Sequence, residues 1–179
     1  MSQSIQQALP YLVLLSHAVL IFLAASAFFR PTWSGAVLNF VGKHTLIFGF
    51  LVSLGAIVGS LFYSEIIGFE ACVLCWWQRV FLYPQAVLFA VALWKNDRSV
   101  FSYIIPLAAI AGIIALYQTY VYMGGASLLP CTAAEGACSK IYVKEFGYIT
   151  IPSMSLTIAL YLLFIAWAHK LYRNENRHA

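Results

Sequence analysis

Four cysteines stand in this chain as two pairs, Cys72 with Cys75 and Cys131 with Cys138. A pair of thiols gives up two electrons to become a disulfide, and a disulfide exchanges with another thiol through its thiolate. The first pair reads Cys72-Val73-Leu74-Cys75 and runs straight into Trp76-Trp77-Gln78-Arg79. A C-x-x-C brings its sulfurs within bonding reach in a geometry that keeps the bond reactive. The second pair encloses Thr132–Ala137, with Pro130 stiffening the approach, in the one long polar stretch of the chain. That loop permits a disulfide, which either exchanges with a soluble partner or staples the loop. Two dithiols in a chain with so few charges point to electrons passing between soluble thiols and something in lipid.

The surroundings of the first pair refine that chemistry. An apolar run begins straight after Leu74, so Cys75 falls near a helix N-terminus, where the macrodipole and unpaired N–H groups favour a thiolate. Arg79 follows four residues later on the same helical face. A cation there lowers the thiol pKa and can polarise an electron acceptor; alternatively it snorkels to the headgroups. Trp76, Trp77 and Tyr83 either form an aromatic belt or line a flat pocket for a ring. A zinc site from all four thiols is disfavoured, because the second pair is not a C-x-x-C. His17 stands alone in the first apolar run and His44, His169 and His178 lie toward the other end, so no two are placed to ligate a haem. His17 reads as a packing or hydrogen-bonded residue. Glu65 and Glu70, beside the first pair, read as solvent-facing.

These groups must be held by membrane elements. The chain of 179 residues is 63% hydrophobic and 9% charged, with a mean hydropathy of +0.85. That composition excludes an ordinary soluble domain. The formal charge of +4 is scattered over the ends of apolar runs, which is not a nucleic-acid-binding pattern. Five runs read as spans: Tyr11–Phe29, Leu46–Ile67, Trp76–Trp94, Val100–Tyr122 and Ile151–His169. Ala25-Ser26-Ala27 resembles a signal-peptide cleavage site, but residues 1–9 hold no Lys or Arg, so the first run reads as an uncleaved span. Seven of the ten basic residues (Arg30, Lys43, Lys95, Arg98, Lys170, Arg173 and Arg177) then share one side, against Arg79, Lys140 and Lys144. The positive-inside rule puts the N-terminus outside, the C-terminus in the cytoplasm and both cysteine pairs outside. In the outer segment, Gly124-Gly125 ends the fourth span. Ser139–Phe146 carries the pattern of a short helix lying on the membrane surface, closed by Gly147, and Pro152 suits the first turn of the last span.

The motifs together resemble a known family. Cys72-Val73-Leu74-Cys75-x-x-x-Arg79 opening a membrane helix resembles the DsbB family of membrane thiol–quinone oxidoreductases. Pro130-Cys131-x6-Cys138-Ser139-Lys140, followed by Phe146-Gly147-Tyr148-Ile149-Thr150-Ile151-Pro152, resembles its short-loop BdbC branch more closely. The resemblance covers roughly residues 46–170. It implies an all-α membrane protein, a DsbB-like four-helix bundle with one extra N-terminal transmembrane helix and the short outer surface helix. The expected parts are residues 1–45 as that helix and a cytoplasmic link, 46–170 as the four-helix domain with its outer loop 123–150, and 171–179 as a cytoplasmic tail. The implied place is a bacterial cell (inner) membrane, and the implied activity is protein-disulfide:quinone oxidoreductase. Cys131 and Cys138 would exchange with an extracytoplasmic thioredoxin-fold thiol oxidase of the DsbA or BdbD kind. Cys72 and Cys75 would pass the electrons to ubiquinone or menaquinone, with Cys75 facing it and Arg79 and Trp76 binding it. Two departures stand out: the loop between Cys131 and Cys138 is much shorter than in the better-known branch, and a histidine of that branch is missing here, with Tyr122 nearby. A vitamin K epoxide reductase-type enzyme has its active C-x-x-C after the loop pair, whereas here it comes first. A non-enzymatic scaffold would require Cys72 and Cys75 to be inert.

Overall fold

The computed structural model describes residues 2–29, 34–126 and 141–178. It is all-α there: α1 Ser2–Phe29, α2 Ser34–Lys43, α3 Thr45–Leu61, α4 Val73–Lys95, α5 Phe101–Tyr122 and α6 Ile151–His178. A π-helical turn, Phe62–Ile66, extends α3, and a single 3-10 turn, Arg98–Val100, leads into α5. The protein is a multi-pass membrane protein: four segments, Leu9–Phe29, Thr45–Ile66, Arg98–Tyr122 and Ile151–Asn174, are long and apolar enough to cross a bilayer. The sequence pattern puts a fifth span at Trp76–Trp94. The helix there is long enough at 23 residues, but Gln78, Arg79 and Gln85 lower its hydropathy below that of the other four. Gln78 and Gln85 are buried, so these polar groups face neighbouring helices rather than lipid.

α3 to α6 pack around small residues. In membranes, helix association depends on close backbone approach rather than on expelling water. Ala108, Ala111 and Ala115 of α5 and Ala159 of α6 are fully or almost fully buried, and a Cβ on Gly112 would sit in ordinary contact, 3.4 Å, with that of Ala159. Phe89 of α4 is fully buried, and its ring lies so close over Gly49 of α3 that no Cβ would fit there.

The connections follow local chemistry. Asn96 takes the left-handed conformation (φ 51°) and ends α4, while Asp97 accepts from Ser99 N at 2.8 Å and starts the next turn. Gly124, at φ 97°, ends α5 as the sequence indicates. Thr150 and Ser153 cap α6 reciprocally: Thr150 N donates to Ser153 Oγ at 2.7 Å and Ser153 N to Thr150 Oγ1 at 3.3 Å, with Pro152 in the first turn.

Two local expectations change. Residues 34–43, read as part of a link, form α2, with Leu38 and Val41 buried and Gly42 closely packed against Tyr172 of α6. The surface helix expected at Ser139–Phe146 is not helical over 141–146; residues 139 and 140 lie outside the described residues. Glu145 and Ile149 exchange two backbone hydrogen bonds, at 3.0 and 2.9 Å, around a turn in which Phe146 (φ 52°) and Gly147 (φ 80°) are both left-handed. Two successive positive φ values are incompatible with a helix. Val143 and Ile149, both buried, hold the turn onto the bundle.

α1 lies at the edge. His17 Nε2 hydrogen-bonds with Thr157 Oγ1 of α6 at 2.7 Å, in line with its reading as a bonded residue, and Tyr11 packs edge-on against Phe146. The N-terminal half of α1 is thus at the same end as the 141–150 turn. Lys43, Lys95 and Arg98 gather at the opposite end, where Arg98 donates to the backbone oxygens of Gly42 and Lys43.

Candidate active site

The C-x-x-C forms the head of α4. Cys72 is the N-cap residue (φ −70°, ψ 168°), and its carbonyl accepts from Trp76 N at 3.1 Å. The helix therefore begins three residues earlier than the span read from the hydrophobic pattern, because the cap and first turn are set by hydrogen bonding and not by hydropathy. Cys75 lies in that first turn, ahead of the apolar run 76–94. The two sulfurs are 3.2 Å apart, as a hydrogen-bonded thiol pair about 1 Å beyond disulfide length. Cys72 is buried and Cys75 partly so.

The strongest influence on Cys75 is the Cys72 thiol, which donates to its sulfur. That bond, joined by the Gln118 amide, the backbone at Cys72 and the Arg79 charge, holds Cys75 below an ordinary 9.0, at about 6, against burial, which pushes the other way. Gln118 comes from α5: its Nε2 lies 3.2 Å from Cys72 Sγ and 3.5 Å from Cys75 Sγ, and its Oε1 accepts from Gln78 Nε2 at 2.7 Å. Neither glutamine was singled out by sequence reasoning. The available signal was polarity in an apolar run: a glutamine in a span needs a partner.

Arg79 stands one turn below Cys75. Its Nε–H donates to Ser60 Oγ at 3.0 Å and its Nη2–H to Ser60 O at 3.4 Å, both on α3. Its guanidinium carbon lies 5.0 Å from the centre of the Trp76 ring. Arg79 is thus tethered to the neighbouring helix α3.

Cys72, Cys75 and Arg79 line a cavity of about 420 Å³ among α1, α3, α4, α6 and the end of α5. Its surface is mostly apolar, with Val52, Leu82, Met154 and Ile158 in the walls. Gly55 and Gly59 of α3 also line it, and a Cβ on either would meet nothing within 4 Å, so glycine keeps that volume open. Tyr63 and Tyr83 line it as well; their hydroxyls are buried and have no hydrogen-bond partner among the described residues. Leu9, Val13 and Ser16 bring α1 into the wall, and Tyr122 stands there too. Trp76 is exposed and outside the lining, so it reaches the cavity only through Arg79. Glu65 and Glu70 are exposed, as read from the sequence, with Glu70 at the rim. Cys131 and Cys138 lie outside the described residues.

A membrane protein with a thiol pair at the wall of an apolar cavity belongs chemically with the membrane dithiol–disulfide proteins. Comparison with known sequences gives the particular family: residues 42–169 match the model of "Disulfide bond formation protein DsbB", and the chain belongs to that family. The match takes in α3, α4, α5 and α6 as far as residue 169, and leaves α1, nearly all of α2 and the last nine residues of α6 outside it. The SPbeta prophage-derived disulfide bond formation protein B of Bacillus subtilis is 36% identical over 139 residues, covering 75% of this chain and 94% of its own. A probable disulfide formation protein C 1 of Bacillus anthracis is 40% identical over 116 residues, covering 64% and 83%. A probable disulfide formation protein of Metapseudomonas resinovorans is 35% identical over 128 residues, covering 68% and 89%. No solved structure matches the chain significantly.

Proposed function

We propose that this protein oxidises an extracytoplasmic thioredoxin-fold thiol oxidase and delivers the electrons to a membrane quinone. The observation that carries this reading is the shared cavity: Cys72, Cys75 and Arg79 stand in the wall of one apolar space of about 420 Å³. That volume is within the range of pockets for drug-sized ligands. A quinone ring fits its chemistry. The volume kept open at Gly55 and Gly59 accommodates a flat ring, and the buried Tyr63 and Tyr83 hydroxyls are donors in need of acceptors. Bound there, a quinone supplies a sink for two electrons and two protons.

The residues divide the work. Cys131 and Cys138 take electrons from the partner by thiol–disulfide exchange and pass them to the Cys72–Cys75 disulfide. Cys75, held toward the thiolate, presents the electron-rich sulfur to the cavity. Arg79 holds an oxygen at the cavity wall by its planar fork and lowers the energy of negative charge there. Trp76 flanks that guanidinium on its outer side. The excess of basic residues at the far end of the bundle supports an orientation with the cysteine end and the N-terminus outside and the C-terminus in the cytoplasm. In bacteria that membrane is the cell (inner) membrane.

The test is direct. Purified protein is mixed with a quinone and a reduced thioredoxin-fold oxidase, and quinone absorbance is followed. Loss of the quinone band that requires all four cysteines is expected. An unchanged band, with the partner still reduced, overturns the reading.

A further inference from the structure

Gln78 and Gln118 are 4% and 0% exposed, in helices whose other buried side chains are mostly apolar. A buried primary amide is unfavourable unless its groups are bonded. Here the bonds have a direction. Gln78 donates to Gln118 Oε1 at 2.7 Å, which occupies that oxygen and leaves Nε2 facing the two sulfurs at 3.2 and 3.5 Å. The opposite amide orientation would set a carbonyl oxygen against sulfur, which a thiolate cannot bond.

We propose that Gln78 and Gln118 form an oriented amide relay, in which Gln118 is a catalytic residue donating its N–H to whichever sulfur of the Cys72–Cys75 pair is negative and Gln78 is the positioning residue that locks the donor in place. This rests on the proposed function only in taking that pair as the redox centre. Hydrogen bonds to a charged acceptor are stronger than those to a neutral one. The relay therefore favours the reduced pair, one thiol and one thiolate, over the neutral disulfide. A pair whose reduced form is stabilised is a stronger oxidant as its disulfide, which suits it to draw electrons from the loop pair. The return step balances. The Cys75 thiolate and the Cys72 thiol lose two electrons and the Cys72 proton as their sulfur–sulfur bond forms. A quinone bound in the cavity would supply the sink for those electrons, that proton and one more from water.

The test reads the sulfurs without quinone. Full-length reduced protein in detergent is alkylated across a pH series, and modification of Cys75 is followed by site-resolved mass spectrometry. In parallel, the Cys72–Cys75 pair is equilibrated with glutathione buffers. Gln118→Met, similar in volume but without the donor, should raise the alkylation midpoint by about one pH unit and shift the glutathione equilibrium about tenfold toward disulfide. Gln78→Met should move both in the same direction by less, since it unlocks the donor without removing it. Gln118→His, which retains an N–H, should stay within about twofold of the parent. Unchanged midpoints in Gln118→Met overturn the relay. If that variant does not fold, parental behaviour of Gln78→Met overturns it instead. The two readings fail separately: a parent protein inactive toward quinone but with shifted midpoints in the variants would retain the relay and sink the acceptor.

Discussion

Replacing Arg79 by lysine keeps the positive charge and removes the fork. In the structure the guanidinium is held by two hydrogen bonds to Ser60, at 3.0 and 3.4 Å, and lies 5.0 Å from the Trp76 ring centre. These contacts engage two of its five N–H groups and fix its plane, so the others are pre-aimed for an oxygen in the cavity. A lysine ammonium cannot hold Ser60 in two places and a ligand oxygen in the same geometry. A hydrogen bond to a charged group is worth about 1.5–3 kcal/mol. Arg79 is only half-buried, so the lower end applies. A loss of about 1.4 kcal/mol is tenfold in binding. The apparent KM for quinone should therefore rise about tenfold in Arg79→Lys. Thiol exchange between partner and loop pair should change less than about twofold, since Arg79 does not take part in it. The assay is a titration with a short-chain quinone under a fixed concentration of reduced partner, with the exchange half-reaction followed separately by alkylation. If Arg79 only snorkels, lysine does as well and KM does not move. A KM within about twofold of the parent would refute the assignment of Arg79 to the acceptor site.

The other expectations test different parts of the arrangement. Cys131→Ser or Cys138→Ser should block oxidation of the partner while a small dithiol still drives quinone reduction through Cys72 and Cys75; Cys72→Ser or Cys75→Ser should stop quinone reduction by every donor. When one loop cysteine is removed, a mixed disulfide should be trapped between the partner and the other; trapping only on Cys72 or Cys75 reverses the assignment. A membrane-impermeant thiol reagent should label Cys131 and Cys138 in intact, reduced cells, and protection of both is incompatible with the orientation. Gly59→Leu should fill the cavity and abolish quinone turnover with the fold retained in circular dichroism; normal turnover would move the acceptor elsewhere. Alkylation of Cys75 should be half-maximal near pH 6 and slow below it as the thiolate is protonated, in contrast to an ordinary thiol near 9.0; a midpoint near 9 would show that its neighbours do not hold it down.

Much was legible in the residues alone because it depends on local chemistry. The apolar runs fix the helices, since runs of about 20 apolar residues cross a bilayer as helices that satisfy their own backbone groups. Gly124 fixes a helix end by backbone preference, and Cys72-x-x-Cys75-x-x-x-Arg79 fixes a reactive pair and a cation on one helical face. Tertiary structure decided which neighbours those residues meet. Helix α2 and the 141–150 turn become ordered by packing on α6 and by a two-residue left-handed turn, neither of which is encoded as periodicity. Arg79 meets Ser60 from α3, and Trp76 stays outside the cavity although it adjoins the cysteine motif. Gln118 reaches the two sulfurs from 46 and 43 residues away, and Gln78 sets its direction. A hydrogen bond between distant helices leaves no spacing in sequence. It exists only where the bundle brings two buried amides and two sulfurs into the same few ångströms, and burial makes leaving any of them unbonded unfavourable.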